Sequence, residues 1–158
     1  MTKYSNQRIV ANEILMEEVC NLLSMGKQVK LRARGNSMFP FIREGTDMIV
    51  LAPLTGKPRK GDVVLAYTGE QQYVVHRITN MQANKALLMG DGNLACKESC
   101  MPANIKGVAV EIIREGKNIS LQSRRHQIAS RVWCLLLPMR RYLLFIMKQK
   151  QRFMSKLS

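Results

Sequence analysis

Three side chains of this 158-residue chain could act together in moving a proton, namely Ser37, His76 and Asp91. Ser37 lies in "RGNSMFP", residues 34–40, where glycine and proline punctuate a tight turn and Met38 and Phe39 follow the serine. A serine in such a loop is ordinarily turn chemistry. It becomes a nucleophile only when a base takes its hydroxyl proton. His76 lies in "QYVVHRI", where strand alternation puts Val74, His76 and Ile78 on one face and Tyr73, Val75 and Arg77 on the other. Branched apolar neighbours partly desolvate the ring and disfavour the imidazolium, leaving a neutral imidazole able to accept a proton. Taken alone, the segment favours a core histidine held by a backbone carbonyl. Asp91, in "MGDGN", reads either as a carboxylate that orients the imidazole or as an Asp-Gly turn capping a hairpin. His126, in the polar stretch "SRRHQ", reads as solvated.

The elements that must position these groups follow from hydrophobic spacing. Ile9, Ile14, Leu15, Val19, Leu22 and Leu23 recur at helical intervals, and Gly26 ends the pattern. Residues 1–30 are thus expected to be an N-terminal helix with its lead-in. Short runs of strand character follow: "QVKLRA", "DMIVLA", "DVVLAY", "QYVVHRI", "KALLMG", "KGVAVEII" and "NISLQ". Gly, Pro, Asn and Asp clusters separate them at intervals of about ten residues, the pattern of an all-β barrel or sandwich. Residues 31–121 are expected to be this mainly β domain. Residues 122–158 return to apolar runs broken by Pro138, Arg140 and Arg141, and read as a basic amphipathic tail of one or two short helices.

Charge is unevenly placed. The formal net charge is +14, and from Lys117 to Ser158 there are 10 Lys or Arg and no acidic residue, against 15 basic and 11 acidic residues in 1–116. The tail runs Val132–Leu137 and Tyr142–Met147 are six residues each, far below the roughly 20 needed to span a bilayer. Trp133, Tyr142 and Phe145 beside Arg and Lys suit a segment lying in the interface of an anionic membrane, or a helix packed on the β body. Aromatic residues form 6% of the chain, too sparse for a single-strand-binding surface, which argues against nucleic acid. Cys20, Cys96, Cys100 and Cys134 fit no standard zinc spacing and read as reduced thiols, so no metal or other cofactor is expected. Acidic residues interrupt the N-terminus where a secretion signal needs an apolar stretch. The expected location is the cytoplasm or the cytoplasmic face of a membrane.

The segments taken in order carry more than any one of them. Gly35-Asn36-Ser37-Met38-Phe39-Pro40, then "REGTDMIVL", "KGDVVLAY", "YVVHRI", "MGDGN" and "IKGVAVEI" resemble the serine peptidase superfamily of type I signal peptidases and LexA-like self-cleaving repressors, over about residues 31–113. The resemblance implies a signal-peptidase/LexA-like β-barrel-type fold, with Ser37 as nucleophile and a polypeptide as substrate. His76-Arg77 stands where bacterial signal peptidases carry a lysine base, and so looks like the His-type branch. Asp91 matches an acidic position of that branch, while a second acidic position falls near Cys96 and Lys97, where no acid stands. Gly35, Asn36 and Met38 are the expected oxyanion and substrate contacts, with the Ser37 N–H as one donor and the Asn36 amide as another.

Three functions fit: an endopeptidase acting on leader- or signal-like segments, a self-cleaving regulator, and a non-enzymatic basic protein that binds membrane or nucleic acid through its tail. Self-cleaving relatives cut an Ala-Gly or Cys-Gly bond upstream of the nucleophile. Here the upstream glycines Gly26 and Gly35 follow Met25 and Arg34. One N-terminal helix is also too little for a helix-turn-helix domain.

Overall fold

The computed structural model describes residues 3–95 and 98–155, with side chains described for 13–95 and 98–150. Helix α1 (Lys3–Ser24) leads into strands β1 (Val29–Arg32), β2 (Asp47–Ala52), β3 (Val63–Tyr67), β4 (Tyr73–Met81), β5 (Ala86–Met89), β6 (Glu98–Cys100), β7 (Ile105–Arg114) and β8 (Lys117–Ser120). Helices α2 (Arg124–Leu135) and α3 (Arg140–Ser155) follow. The seven runs read as strands all form. The additional strand is β6, three residues long and without an apolar run to announce it.

All pairings are antiparallel, and the sheet runs β1-β2-β7-β3-β4-β5-β6 with β8 on β7. β7 joins the two halves of the sheet, because its ten residues pair with β2 along one edge and with β3 and then β8 along the other. Apolar side chains fill both faces of β2 and β3, so these central strands read as continuous hydrophobic runs.

One core cluster packs Val19 and Leu23 of α1 on Ile49, Leu51, Val63, Leu65 and Ile112. Gly107 admits this helix: a Cβ there would stand 2.8 Å from the Leu23 side chain. The opposite face carries Val64, Ala66, Ile78, Ala86 and Leu88. Alternation in β4 is as the sequence dictates, with Val74 and Ile78 in the second cluster and Tyr73 and Val75 against the first.

Asp47, fully buried, ties the serine loop to β7. Its carboxylate accepts from Arg114 Nε at 2.9 Å and Nη2 at 2.7 Å, and from the Arg43 N–H at 2.8 Å. Burial alone would raise its pKa, but the Arg114 and Arg43 hydrogen bonds and the Arg114 charge prevail and hold it below the ordinary value.

Candidate active site

Ser37 sits in the bend between β1 and β2, half-buried, with Met38, Phe39 and Ile42 turned into the core beside it. The bend is stitched by Phe39 N–H to Asn36 O at 3.2 Å and Ile42 N–H to Met38 O at 3.0 Å. Gly35 takes a φ of 76°, a conformation that glycine adopts without strain, and its N–H donates to Glu44 Oε1 at 2.9 Å. The Asn36 amide also donates to Glu44, at 3.1 Å, so the expected oxyanion donor already has a partner. Phe39–Pro40 is a cis peptide bond.

A second loop, Gly90–Asn93, holds the backbone of Ser37. Gly92 N–H donates to Ser37 O at 2.7 Å. A Cβ on Gly90 would collide with the same oxygen, and one on Gly92 would meet the Asn36 carbonyl. Where the sequence offers an Asp-Gly turn capping a hairpin, the loop is a backbone surface moulded to the serine turn.

Beside Ser37 opens a cleft of about 420 Å³, lined among others by Leu31, Arg34, Gly35, Met38, Tyr73 and Val75. Among the described residues β1 pairs only with β2, and Tyr73–His76 pair only with β3. Both strands therefore keep a free edge.

His76 is 5% exposed and points to the face of Val74 and Ile78. Its Nδ1 lies 3.1 Å from Glu98 Oε2. The residues near Cys96 and Lys97 do have an acid beside them: it stands at Glu98, on β6, which is separated from β4 by β5 alone. No hydrogen bond joins the Ser37 hydroxyl to His76 among the described residues; the cleft that Ser37 lines is walled by Tyr73 and Val75, on the face of β4 opposite to His76, and neither His76 nor Glu98 lines it.

Asp91 lies elsewhere. Its two oxygens accept from Arg77 Nε at 2.8 Å and Nη2 at 2.7 Å, both residues being buried. Arg77 also donates to Gly61 O at 2.7 Å and sits 5.5 Å from the centre of the Phe41 ring. The structure thus brings His76 to Glu98 and Asp91 to Arg77. Burial opposes the Arg77 charge, but the bond to Asp91 outweighs it and raises the guanidinium pKa.

The tail reaches the same loop. Trp133 of α2 donates its Nε1–H to Asp91 O at 2.8 Å and packs with Phe39 and Leu144. Arg140 of α3, 1% exposed, donates to Asn93 O and Trp133 O, each at 3.0 Å. Its guanidinium lies 5.3 Å from the centre of the Trp133 ring. His126 is not solvated: its ring meets Phe41 edge-on at 5.1 Å, and its buried Nε2 has no hydrogen-bond partner. Burial, then the nearby Arg77 charge, lowers its pKa, with Asp91 opposing.

Cys20, Cys100 and Cys134 are free thiols, and Cys96 lies outside the described residues. Among the described residues no group of three or more His, Cys, Asp or Glu side chains could hold a metal ion, and no helix is long and apolar enough to cross a membrane.

The antiparallel β body thus holds one serine in a glycine-moulded turn at an open-edged cleft, and a histidine–carboxylate pair between β4 and β6. The chain belongs to the Peptidase S24-like family, whose model matches residues 4–113. This places it in the superfamily that holds both self-cleaving LexA-like regulators and signal peptidases. Neither the curated proteins nor the solved structures compared with the chain gave a match.

Proposed function

We propose that this protein is a serine endopeptidase that cleaves a polypeptide in trans, with Ser37 as nucleophile, His76 as general base and Glu98 as the carboxylate that orients the histidine. The observation that carries this reading is the placement of Ser37 in the wall of a cleft flanked by two free strand edges. An extended peptide can add its backbone to such edges, and the side-chain pockets then select its sequence.

With Nδ1 facing Glu98, Nε2 is the nitrogen left to take the Ser37 proton. Oγ attacks the scissile carbonyl, and the oxyanion meets the Ser37 N–H. His76 returns the proton to the departing amine, leaving an acyl-serine that water hydrolyses by the same route. Catalytic hydrogen bonds of this kind are commonly long before substrate binds and tighten to about 3 Å in the complex. Asp91 acts here through Arg77 and the backbone of its loop, as a positioning residue. The resemblance to the His-type branch points to leader- or signal-like segments cut after small residues as the substrate class.

Self-cleavage is the second reading, and Gly26 and Gly35, which follow Met25 and Arg34 where self-cleaving relatives have Ala or Cys, weigh against it. One experiment separates the two. The protein, Ser37→Ala and His76→Ala are each incubated with a pool of leader-type peptides, and peptides and intact chain are followed by mass spectrometry. The expected result is peptide cleavage that either substitution abolishes, with the intact chain unchanged in mass. The double variant should lose little more than either single one, since groups acting as a unit are not additive. Cleavage by Ser37→Ala at the original rate would sink the reading.

A further inference from the structure

Each tail helix buries one side against the body and turns an apolar stripe the other way. In α2, His126, Ser130 and Trp133 face inward, whereas Ile128, Val132 and Leu135 are 61%, 48% and 81% exposed. These three recur at intervals of four and three, which is a single stripe on a helix. In α3, Arg140 and Leu144 are buried, whereas Tyr142, Phe145 and Ile146 are 69%, 65% and 62% exposed, again one stripe by spacing. Between the helices Leu137 and Met139 are also exposed. Six large apolar side chains in two regular stripes exceed the scattered exposure normal for a protein surface.

The polar residues around the stripes have one sign. Arg124, Arg125 and Arg131 on α2, and Arg141, Lys148 and Lys150 on α3, are all exposed. No acidic residue occurs from Lys117 onward. Leu94 of the body adjoins α3 in a shallow cleft that Tyr142, Phe145, Arg141 and Lys148 also line, so the apolar surface continues past the tail.

We propose that this outer surface of α2 and α3 docks in the interface of a bilayer containing anionic phospholipid. Charge complementarity selects this occupant. A second copy docked by the same surface would set its exposed arginines and lysines against their like, with no carboxylate from either tail to meet them. A nucleic acid would satisfy the cations but leave Ile128, Val132, Leu135 and Ile146 in water. An anionic bilayer satisfies both, since lipid phosphates meet the Arg and Lys while the stripes sink to the acyl boundary. Binding in this way requires neither a spanning helix nor release of the inner face, because Trp133 and Arg140 stay on the body. The proposal is independent of the peptidase reading, and its test needs no substrate.

The test is flotation of the full chain with vesicles of phosphatidylcholine alone and of phosphatidylcholine mixed with phosphatidylglycerol. The partner experiment uses Leu135→Ser/Phe145→Ser/Ile146→Ser, whose three side chains are exposed, with the melting profile of both proteins recorded. The chain should float with the mixed vesicles only, and less at 1 M salt, where the screening length falls to about 3 Å. The triple variant should bind at least about tenfold more weakly with its melting profile unchanged. Any of four results would overturn the proposal: no flotation with either vesicle, equal flotation with both, unweakened binding by the folded triple variant, or a salt-resistant dimer that the three substitutions dissolve. An unfolded triple variant is replaced by Arg141→Gln/Lys148→Gln/Lys150→Gln, for which the same loss is expected and undiminished binding is the refutation.

Discussion

A single methyl group at Gly90 should separate catalysis from folding. Gly90 needs no positive φ, so alanine meets no backbone obstacle there. What it meets is Ser37: the added carbon collides with the Ser37 carbonyl oxygen and stands 3.0 Å from both the Ser37 carbonyl carbon and Asn93 Nδ2. Restoring ordinary van der Waals separation requires relative movement of about 1 Å between the two loops. Overpacking of this size costs about 1–3 kcal/mol of stability, which an intact β body tolerates. Catalysis tolerates it less well, because a 1 Å misplacement of a reacting group costs about 100-fold in rate. Gly56→Ala is the control, since its Cβ would have nothing within 4 Å and its φ is not positive. The assay is the initial rate on whichever pooled peptide the unmodified protein cuts fastest, with urea midpoints measured in parallel. Gly90→Ala should lose about two orders of magnitude in rate while remaining folded, and Gly56→Ala should be near normal. A Gly90→Ala rate within about twofold of the original would refute the view that this loop sets the position of Ser37.

Glu98→Ala should lower the cleavage rate by about 100-fold or more at unchanged stability, whereas Asp91→Ala, which strands the Arg77 charge in the interior, should cost about 3–5 kcal/mol in denaturant unfolding. The opposite pattern would make Asp91 the histidine's orienting group. A third expectation concerns acid. Asp47 titrates below its unfolded value of 3.8, so its ionised form stabilises the fold above about pH 4, and that share disappears as the pH falls through the lower folded value. Arg114→Met removes the first of the influences that hold the value down. It should destabilise the protein at pH 7 by about 2 kcal/mol, less than for a sealed pair because the Arg114 side chain is 21% exposed. The deficit should shrink at pH 3, and an equal deficit at both pH values in urea titrations would refute it.

The strands are legible in the sequence because each is a short apolar run closed by Gly, Pro or Asn, and β2 spans Asp47–Ala52 just as "DMIVLA" implies. The reading of Ser37 as nucleophile and His76 as base rests on the order of several short boxes, not on either residue's own surroundings. Glu98 is hard to find because β6 is three residues long and meets His76 only through β5, across 22 positions of chain. The signal is nonetheless present, as an acid two residues beyond Cys96 in "CKESC". For Asp91 the sequence leaves catalysis and turn both open because a carboxylate's partner is a tertiary fact, and the Arg77 fork that holds it comes from the other face of the histidine strand. His126 misleads by the polarity of "SRRHQ", since a helix with polar neighbours in sequence can still lay one side chain on a phenylalanine.

The contacts of Trp133 and Arg140 give the chain an order in time. Both lie beyond residues 4–113, the span it shares with its family, yet they hold the backbone of Asp91 and Asn93 next to the serine turn. A ribosome makes the N-terminus first, at about 5–20 residues per second. Ser37, His76 and Glu98 therefore all emerge before the groups that clamp the Gly90–Asn93 loop, and the 42 positions from Glu98 to Arg140 take about 2–8 s to add. A nascent chain carries the serine turn and its facing loop unbraced through that interval, and the clamp closes only once Arg140 has been made. The segment from Trp133 to Arg140 thus works as a latch on a loop that was made before it.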